Sequence, residues 1–546
     1  MIPAVLPFLL LAASPAAAPL PQLPPPSPLS CRKGAWEAPF NHDVTGFNPV
    51  PPGFVFEAIH MALIPKGPNR GKVMVWDAGG NPPQGGAFVQ RWAILDPTAP
   101  GGPAFRNFNL QLPGGGGDLF CSAHAWTANG DLFVAGGTST YPTAGALHPG
   151  QFHGAIHTLL YDPAAGPDGT WIPQADMATE RWYPSVIRIG NGQILVLGGT
   201  NDSALPTLND YEAFDPATGT WQSSGTTRIF AGPPSPASPL DGYPRLHLLS
   251  TGQVFVSGMG GWASRLDHLA APGAWTPTAL TSVEYRSYGT SVLFPNASGL
   301  QDVVMILGGE GFRFGQDLGT LASVEYSFAS GAGAPAWNWT GAPPLNTSRM
   351  HLNAVLLPDG GILAVGGRRT RWSNPNPTFT RTPELFSLRS GRWTEMAQAA
   401  SVREYHSTAV LLPDGRVLSA GGDYRQWDYQ VFDPPYLACG GFRPVITAAP
   451  ATLSYYSADP VSHTVAFEQV PPGTLVGKVV LMAPGSLTHH SDFGQRYVEM
   501  PVVARTRKSI TFLTPFDSNA APQGYYMLFL VTRDGVPSKA AWVRLQ

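Results

Sequence analysis

Cysteine is scarce here: three in 546 residues, at Cys31, Cys121 and Cys439. No C-x-x-C pair occurs, which removes the usual structural zinc sites. Charge is scarce too. Lys, Arg, Asp and Glu make up 13% of the chain and leave a net charge of −3, with no electrostatic footprint for nucleic acid or an anionic membrane. Long apolar runs are missing, since the N-terminal stretch 4–13 is too short to cross a bilayer and small residues follow it at 16–18 as a cleavage site. Residues 1–18 therefore read as a signal peptide without a charged n-region, and the chain as secreted; the alternative is a disordered apolar tail. An odd cysteine count in a secreted chain leaves one thiol with another task. A Cys31–Cys439 disulfide is open to this sequence, and it would leave Cys121 free.

Glycine (62) and proline (57) are abundant, which favours tight turns over long helices. Residues 19–30 are proline-rich and read as an extended linker. From Cys31 onward a short apolar run ending in Gly-Gly recurs, as KVMVWDAGG (72–80), DLFVAGG (131–137), QILVLGG (193–199), QVFVSGMGG (253–261), VVMILGG (303–309), GILAVGG (361–367) and RVLSAGG (416–422). A second apolar run and a D-G or N-G turn precede several of them, and segments such as EAFDPATGTW (212–221) follow. Each unit reads as about four strands over roughly 50 to 60 residues, the pattern of a kelch-type blade. The expectation is an all-β chain, with a seven-bladed kelch β-propeller over 31–440. The repeat stops past Pro444, and runs such as KVVLMA (478–483) and YYMLFLVT (525–532) predict an immunoglobulin-like β-sandwich over 441–546.

Four stretches carry chemistry: Phe120-Cys121-Ser122, Arg181-Trp182-Tyr183-Pro184, Tyr405-His406-Ser407 and Thr488-His489-His490. Tyr405 and His406 are adjacent, and adjacent strand residues point to opposite faces. For both to reach one centre the backbone must turn there, just ahead of the apolar segment 409–422. Phenol oxygens and imidazole nitrogens together suit Cu(II), and less specifically Zn, Fe or Ni. Each stretch also has a plainer reading: Trp182 and Tyr183 as core aromatics, Cys121 as a small buried hydrophobe, and His489 and His490 as a solvated pair.

Together, and in this order, the four stretches resemble the signature motifs of the copper radical oxidases, the family of galactose oxidase and glyoxal oxidase. FDPPYL (432–437) is similar to that family's junction between propeller and sandwich. The resemblance implies that Tyr183, Tyr405, His406 and His489 bind one copper ion, with His490 the adjacent rival of His489. It also implies a thioether between Cys121 and Tyr183 that carries a tyrosyl radical, and Tyr405 as the base for the substrate hydroxyl. The catalytic residues so implied are Cys121, Tyr183 and Tyr405.

The FCS-x-H and RWYP forms look more like glyoxal oxidases. This predicts oxidation of small aldehydes, as hydrates, to carboxylic acids, with O2 reduced to H2O2. Primary alcohols or galactose-type sugars are the alternative substrates, and a non-catalytic kelch propeller binding glycan or protein is the rival from another class. Galactose oxidase has a Trp after its blade Gly-Gly-Ser that stacks over the thioether. Here Gly198-Gly199-Thr200 is followed by Asn201, leaving Trp126, Trp372 and Trp427 as candidate shields. Arg313, Arg368 and Arg369 are left without a role. The expected partners are the substrate and O2, with peroxidases as users of the peroxide; the expected state is a monomer, with no membrane. Sequons stand at Asn201, Asn296, Asn338 and Asn346.

Overall fold

The computed structural model describes residues 29–47, 54–79, 89–112, 117–141, 151–203, 208, 210–222, 242–257, 263–267, 274–277, 285–293, 302–313, 316–330, 336–423, 427–455 and 461–546. The expected signal peptide, linker residues 19–28, the Gly260-Gly261 pair and Asn296 lie outside these. Among the described residues no helix is long and apolar enough to cross a membrane.

The fold is all-β, and among the described residues the only helices are short ones at Leu29–Lys33 and Pro435–Ala438 and a 3-10 turn at Val44–Gly46. Leu29 and Ser30, read from sequence as linker, are thus helical. Their helix carries Cys31, whose disulfide to Cys439 anchors it beside the second helix.

Up to residue 433 the strands form small antiparallel sheets. Their leading strands are His60–Leu63, Asp118–Trp126, Ser185–Arg188, Arg245–Leu248, Thr290–Leu293, Asn353–Leu356 and Thr408–Leu411. From Asp118–Trp126 onward each packs against the next, and Thr408–Leu411 packs back against His60–Leu63. Between His60–Leu63 and Asp118–Trp126 lies an inserted strand, Ser486–Thr488, which pairs with the former. The apolar second strands, such as Val73–Trp76 and Ile194–Leu197, are buried along their whole length because sheets cover both faces. Outermost strands such as Thr170–Pro173 and Arg392–Glu395 are largely exposed.

The Gly-Gly pairs at 198–199, 308–309, 366–367 and 421–422 directly follow second strands, and Gly136-Gly137 lies within Leu132–Thr140, where the next sheet comes close. Gly136 and Gly137 have φ of 75° and 125°, and a Cβ would lie 2.5 Å from the Arg181 carbonyl oxygen at the first and 2.2 Å from that of Asp118 at the second. Only glycine fits such a position. A second repeat, invisible to hydropathy, is a buried arginine ahead of a leading strand, paired with an acid at the start of the third strand of the same sheet. Arg181 pairs with Glu212 (3.0 Å), Arg286 with Glu325 (2.5 Å), Arg349 with Glu384, and Arg403 with Asp428 (2.6 Å). The first three also donate to the Gly198, Gly308 and Gly366 carbonyls. Glu384 further accepts from the Asn346 side chain (2.8 Å), so that sequon is occupied by a structural bond.

The last sheet of this series is completed by the N-terminal strand Ala35–Trp36, which pairs with Tyr429–Asp433. His42 bridges the first and last sheets, with one ring nitrogen on Asn107 Oδ1 (2.8 Å) and the other on the Tyr429 hydroxyl (2.9 Å). Past residue 443 two further sheets enclose a core of their own, including Val465, Leu481, Phe512, Leu528 and Val543. The segment 483–496 reaches out of these sheets and contributes the inserted strand Ser486–Thr488.

Candidate copper site

Non-glycine residues with left-handed backbone are few among the described residues, and they cluster. They are Cys121, Tyr183, Tyr243, Tyr288, His351, His406, His489 and His490, with φ between 48° and 64°. Such a conformation costs a bulky residue about 1–3 kcal/mol and persists where surrounding bonds enforce it. Tyr183, Tyr243, Tyr288, His351 and His406 each stand two residues before a leading strand. The enforcing bonds run from one to the next: Tyr183 N–H to the Cys121 carbonyl (3.1 Å), Tyr243 N–H to that of Tyr183 (2.8 Å), and His351 N–H to that of Tyr288 (2.8 Å). The turn expected between Tyr405 and His406 is this one.

The structure brings Cys121, Tyr183, Tyr405, His406 and His489 together. The Tyr183 and Tyr405 hydroxyls are in direct hydrogen-bond contact. The His489 ring lies 4.8 Å from Tyr183, 5.4 Å from Tyr405 and 4.5 Å from His406, centroid to centroid, and Cys121 Sγ is 3.8 Å from His489 Nε2. His490 turns away towards His351, 5.2 Å off, and is 6.4 Å from Tyr405.

Hydrogen bonds orient both imidazoles. His489 Nδ1 donates to Thr488 Oγ1 (2.7 Å), which itself donates to the Ile59 carbonyl, so Nε2 is the basic nitrogen. His406 Nδ1 meets Asp423 Oδ1 at 2.5 Å, while its buried Nε2 has no hydrogen-bond partner among the described residues. Burial opposes a charge on His406, yet Asp423 outweighs it and raises the group's affinity for a proton. Burial holds His489 well below the ordinary histidine range and drives the Tyr183 and Tyr405 phenols well above theirs. Two phenol oxygens thus lie beside two imidazole nitrogens, of which His406 Nε2 has no hydrogen-bond partner among the described residues and His489 Nε2 meets the Cys121 thiol at 3.8 Å. This donor set suits copper.

Glu57, His406 and Asp423 also place one ligand atom each within 4.8 Å of one another. Glu57 accepts the Gly422 N–H (3.0 Å), and burial pushes its pKa up to about 7. Of the two carboxylates, Asp423 is the one bonded to His406, at Nδ1, while Glu57 holds the backbone next to Asp423 through Gly422.

Family models match most of this chain. The glyoxal oxidase N-terminus model covers residues 115–438, and the galactose oxidase-like early set domain model covers 443–545.

The chain belongs to the glyoxal oxidase family of copper radical oxidases.

Among the relatives of this oxidase, galactose oxidase of Gibberella zeae is 26% identical over 501 residues, 88% of this chain and 68% of that protein. Aldehyde oxidase GLOX of Vitis pseudoreticulata is also 26% identical, over 78% of this chain and 82% of its own length. A solved fungal alcohol oxidase of the AA5 family, in complex with copper, shares the fold: its TM-score is 0.74 at 24% identity, over 94% of this chain and 99% of that one.

The stacking partner of Tyr183 differs from every candidate raised by the sequence. It is Trp182, whose ring lies 3.7 Å from that of Tyr183 at 9° between planes, with Phe152 stacked behind it at 5.0 Å. The left-handed backbone at Tyr183 lets two consecutive side chains lie face to face. Trp126 and Trp427 are outside the apolar cluster that holds Tyr183. Trp372 lies edge-on to Tyr405 at 5.2 Å, beneath Arg368, which donates to the Trp372 carbonyl (3.1 Å). Sequence reasoning also missed Tyr288 and His351. An R-x-[YH] signal was there to find: Arg181-Trp-Tyr183, Arg286-Ser-Tyr288, Arg349-Met-His351 and Arg403-Glu-Tyr405.

Proposed function

We propose that this oxidase binds one copper ion through Tyr183, Tyr405, His406 and His489, and that Cys121 and Tyr183 are joined by a thioether that carries a tyrosyl radical. The observation that carries this reading is the convergence of these five side chains, from four separate stretches, on one buried point. Copper bound there supplies a one-electron redox step and a coordination position for the substrate oxygen. The residues do the rest. Tyr405 takes the proton of the substrate hydroxyl, and the Tyr183 oxygen takes the hydrogen from carbon. Trp182 covers one face of the Tyr183 ring and keeps water from it.

The favoured substrates are small aldehydes reacting as hydrates, RCH(OH)2 + O2 giving RCOOH + H2O2. The RWYP form and the aldehyde oxidase relative support this choice. Primary alcohols are the second reading, supported by the galactose oxidase relative and the alcohol oxidase fold neighbour. The series of sheets supports reading residues 31–440 as a seven-bladed kelch propeller, with 441–546 a sandwich that supplies His489. Secretion by way of residues 1–18 fits a disulfide between Cys31 and Cys439.

The test is a peptide mass spectrum of the copper-loaded protein in air, with peroxide release measured on an aldehyde and an alcohol series. The expected result is a Cys121–Tyr183 linked pair lighter by two hydrogens, with peroxide formed fastest on aldehydes. A free Cys121 thiol in fully loaded protein overturns the radical reading and leaves the binding propeller.

A further inference from the structure

An unbroken file of rings leads away from Tyr183 to a tyrosine that the oxidase reaction does not use. Trp182 stacks on Tyr183, Phe152 stacks on Trp182, and Tyr141 meets Phe152 at 5.6 Å. Tyr141 also stacks on Phe120 at 5.8 Å and 8° between planes, and Phe120 meets His406 edge-on at 5.5 Å. All of them except His406 belong to the one apolar cluster that includes Cys121. Tyr141 is half-buried, so its ring reaches both the cluster and solvent.

Its hydroxyl donates to Oδ2 of Asp118 at 2.6 Å. Asp118 is buried, and its other oxygen accepts the Phe120 N–H at 3.0 Å, which fixes the carboxylate in place. A phenol loses an electron far more readily when a base is hydrogen-bonded to it and takes the proton as the electron leaves, because the cationic phenol need never form. At Tyr141 a short hydrogen bond to a buried carboxylate meets a continuous file of rings, through Phe152 and Trp182, to Tyr183.

We propose that Tyr141 is a redox-active residue, the surface end of a path by which a hole on Tyr183 is filled by a small one-electron donor in solution, such as an enediol or a phenol. This rests on the radical reading of Tyr183 above. The step balances as follows. Tyr141 gives one electron through the rings to the Tyr183 phenoxyl, which becomes phenolate, and gives its phenolic proton to the Asp118 carboxylate. The donor then returns one electron to Tyr141, and Asp118 returns the proton. The net change is one donor oxidised by one electron and one hole filled. Without substrate, the path turns a damaging oxidant into a harmless exchange with solvent reductants. With substrate, hydrogen transfer to Tyr183 is local and leaves the path unused.

The test has two parts. Metal-free protein is oxidised by flash-quench with ruthenium tris-bipyridine and persulfate, and the tyrosyl signal is followed by electron paramagnetic resonance. Tyr141→Phe is expected to remove the earliest tyrosyl signal, and Asp118→Asn to slow its appearance. In the second part the oxidised, copper-loaded protein meets ascorbate without substrate, and loss of the radical absorption is timed. Tyr141→Phe should slow that loss by about tenfold, equivalent to a modestly raised barrier, while mass spectrometry still finds the Cys121–Tyr183 link. Quenching at the parent rate in a linked Tyr141→Phe protein overturns the proposal. If the parent protein carries no link, the functional reading fails, and the metal-free signal alone decides whether Tyr141 is redox-active.

Discussion

Asp423 accepts the Nδ1 proton of His406 at 2.5 Å, and in doing so it fixes the other ring nitrogen as the acceptor buried beside Tyr405 and His489. A side chain outside the converging five thus decides which nitrogen of the imidazole faces Tyr405 and His489.

Asp423→Asn keeps the volume and weakens that orientation. Copper affinity should fall by roughly 10- to 100-fold, the usual effect of losing an outer partner of a metal-bound histidine. Titration of the metal-free protein with copper, followed calorimetrically, measures it. The fold should hold, because Asp423 is exposed for more than a third of its side chain.

Trp182→Leu removes the stacked ring and keeps an apolar side chain. Aromatic pairs are worth about 0.5–1.5 kcal/mol beyond area, so the radical should decay roughly two- to tenfold faster without substrate. The Cys121–Tyr183 link should still form. The decay of the radical absorption and a mass spectrum of the same sample check both halves.

His42 makes the joint between the first and last sheets acid-sensitive. Burial lowers its pKa from 6.5 to about 4. The unfolded chain therefore takes up the proton first as pH falls. Stability is complete above pH 6.5 and declines down to about pH 4, by roughly 3 kcal/mol from this residue. His42→Gln should lower stability at neutral pH and flatten that decline, which urea unfolding at a series of pH values will show.

Cys439→Ser opens the Cys31 link and frees the N-terminal strand that completes the last sheet. The bridge spans 408 residues of sequence. Its loss should cost about 2–4 kcal/mol, less than its span alone predicts, because loop length correlates weakly with measured gains. A lowered melting temperature, matched by the parent protein under reductant, is the expected outcome.

Much of this was legible in the sequence. The Gly-Gly repeats marked the ends of buried strands because only glycine fits where neighbouring sheets touch, and the pattern survives any change of side chains around it. Cys121, Tyr183, Tyr405, His406 and His489, which the structure brings together, were singled out because each sits in a motif. Trp182 was not raised as the ring that stacks on Tyr183 because a strand would place it opposite Tyr183, and only the left-handed backbone brings the two face to face. Asp423 and Asp118 were missed because their partners lie in other segments of the chain. The strand Ala35–Trp36 was missed because two residues carry no period.

The strand Ser486–Thr488 pairs with the first sheet although it is made after the last one. A growing chain therefore passes through every sheet of the series with Cys121 and Tyr183 already in place and His489 not yet synthesised. The ribosome delivers the last of the five converging side chains only after every sheet of the series, so the cluster can assemble only when the C-terminal sheets have been made.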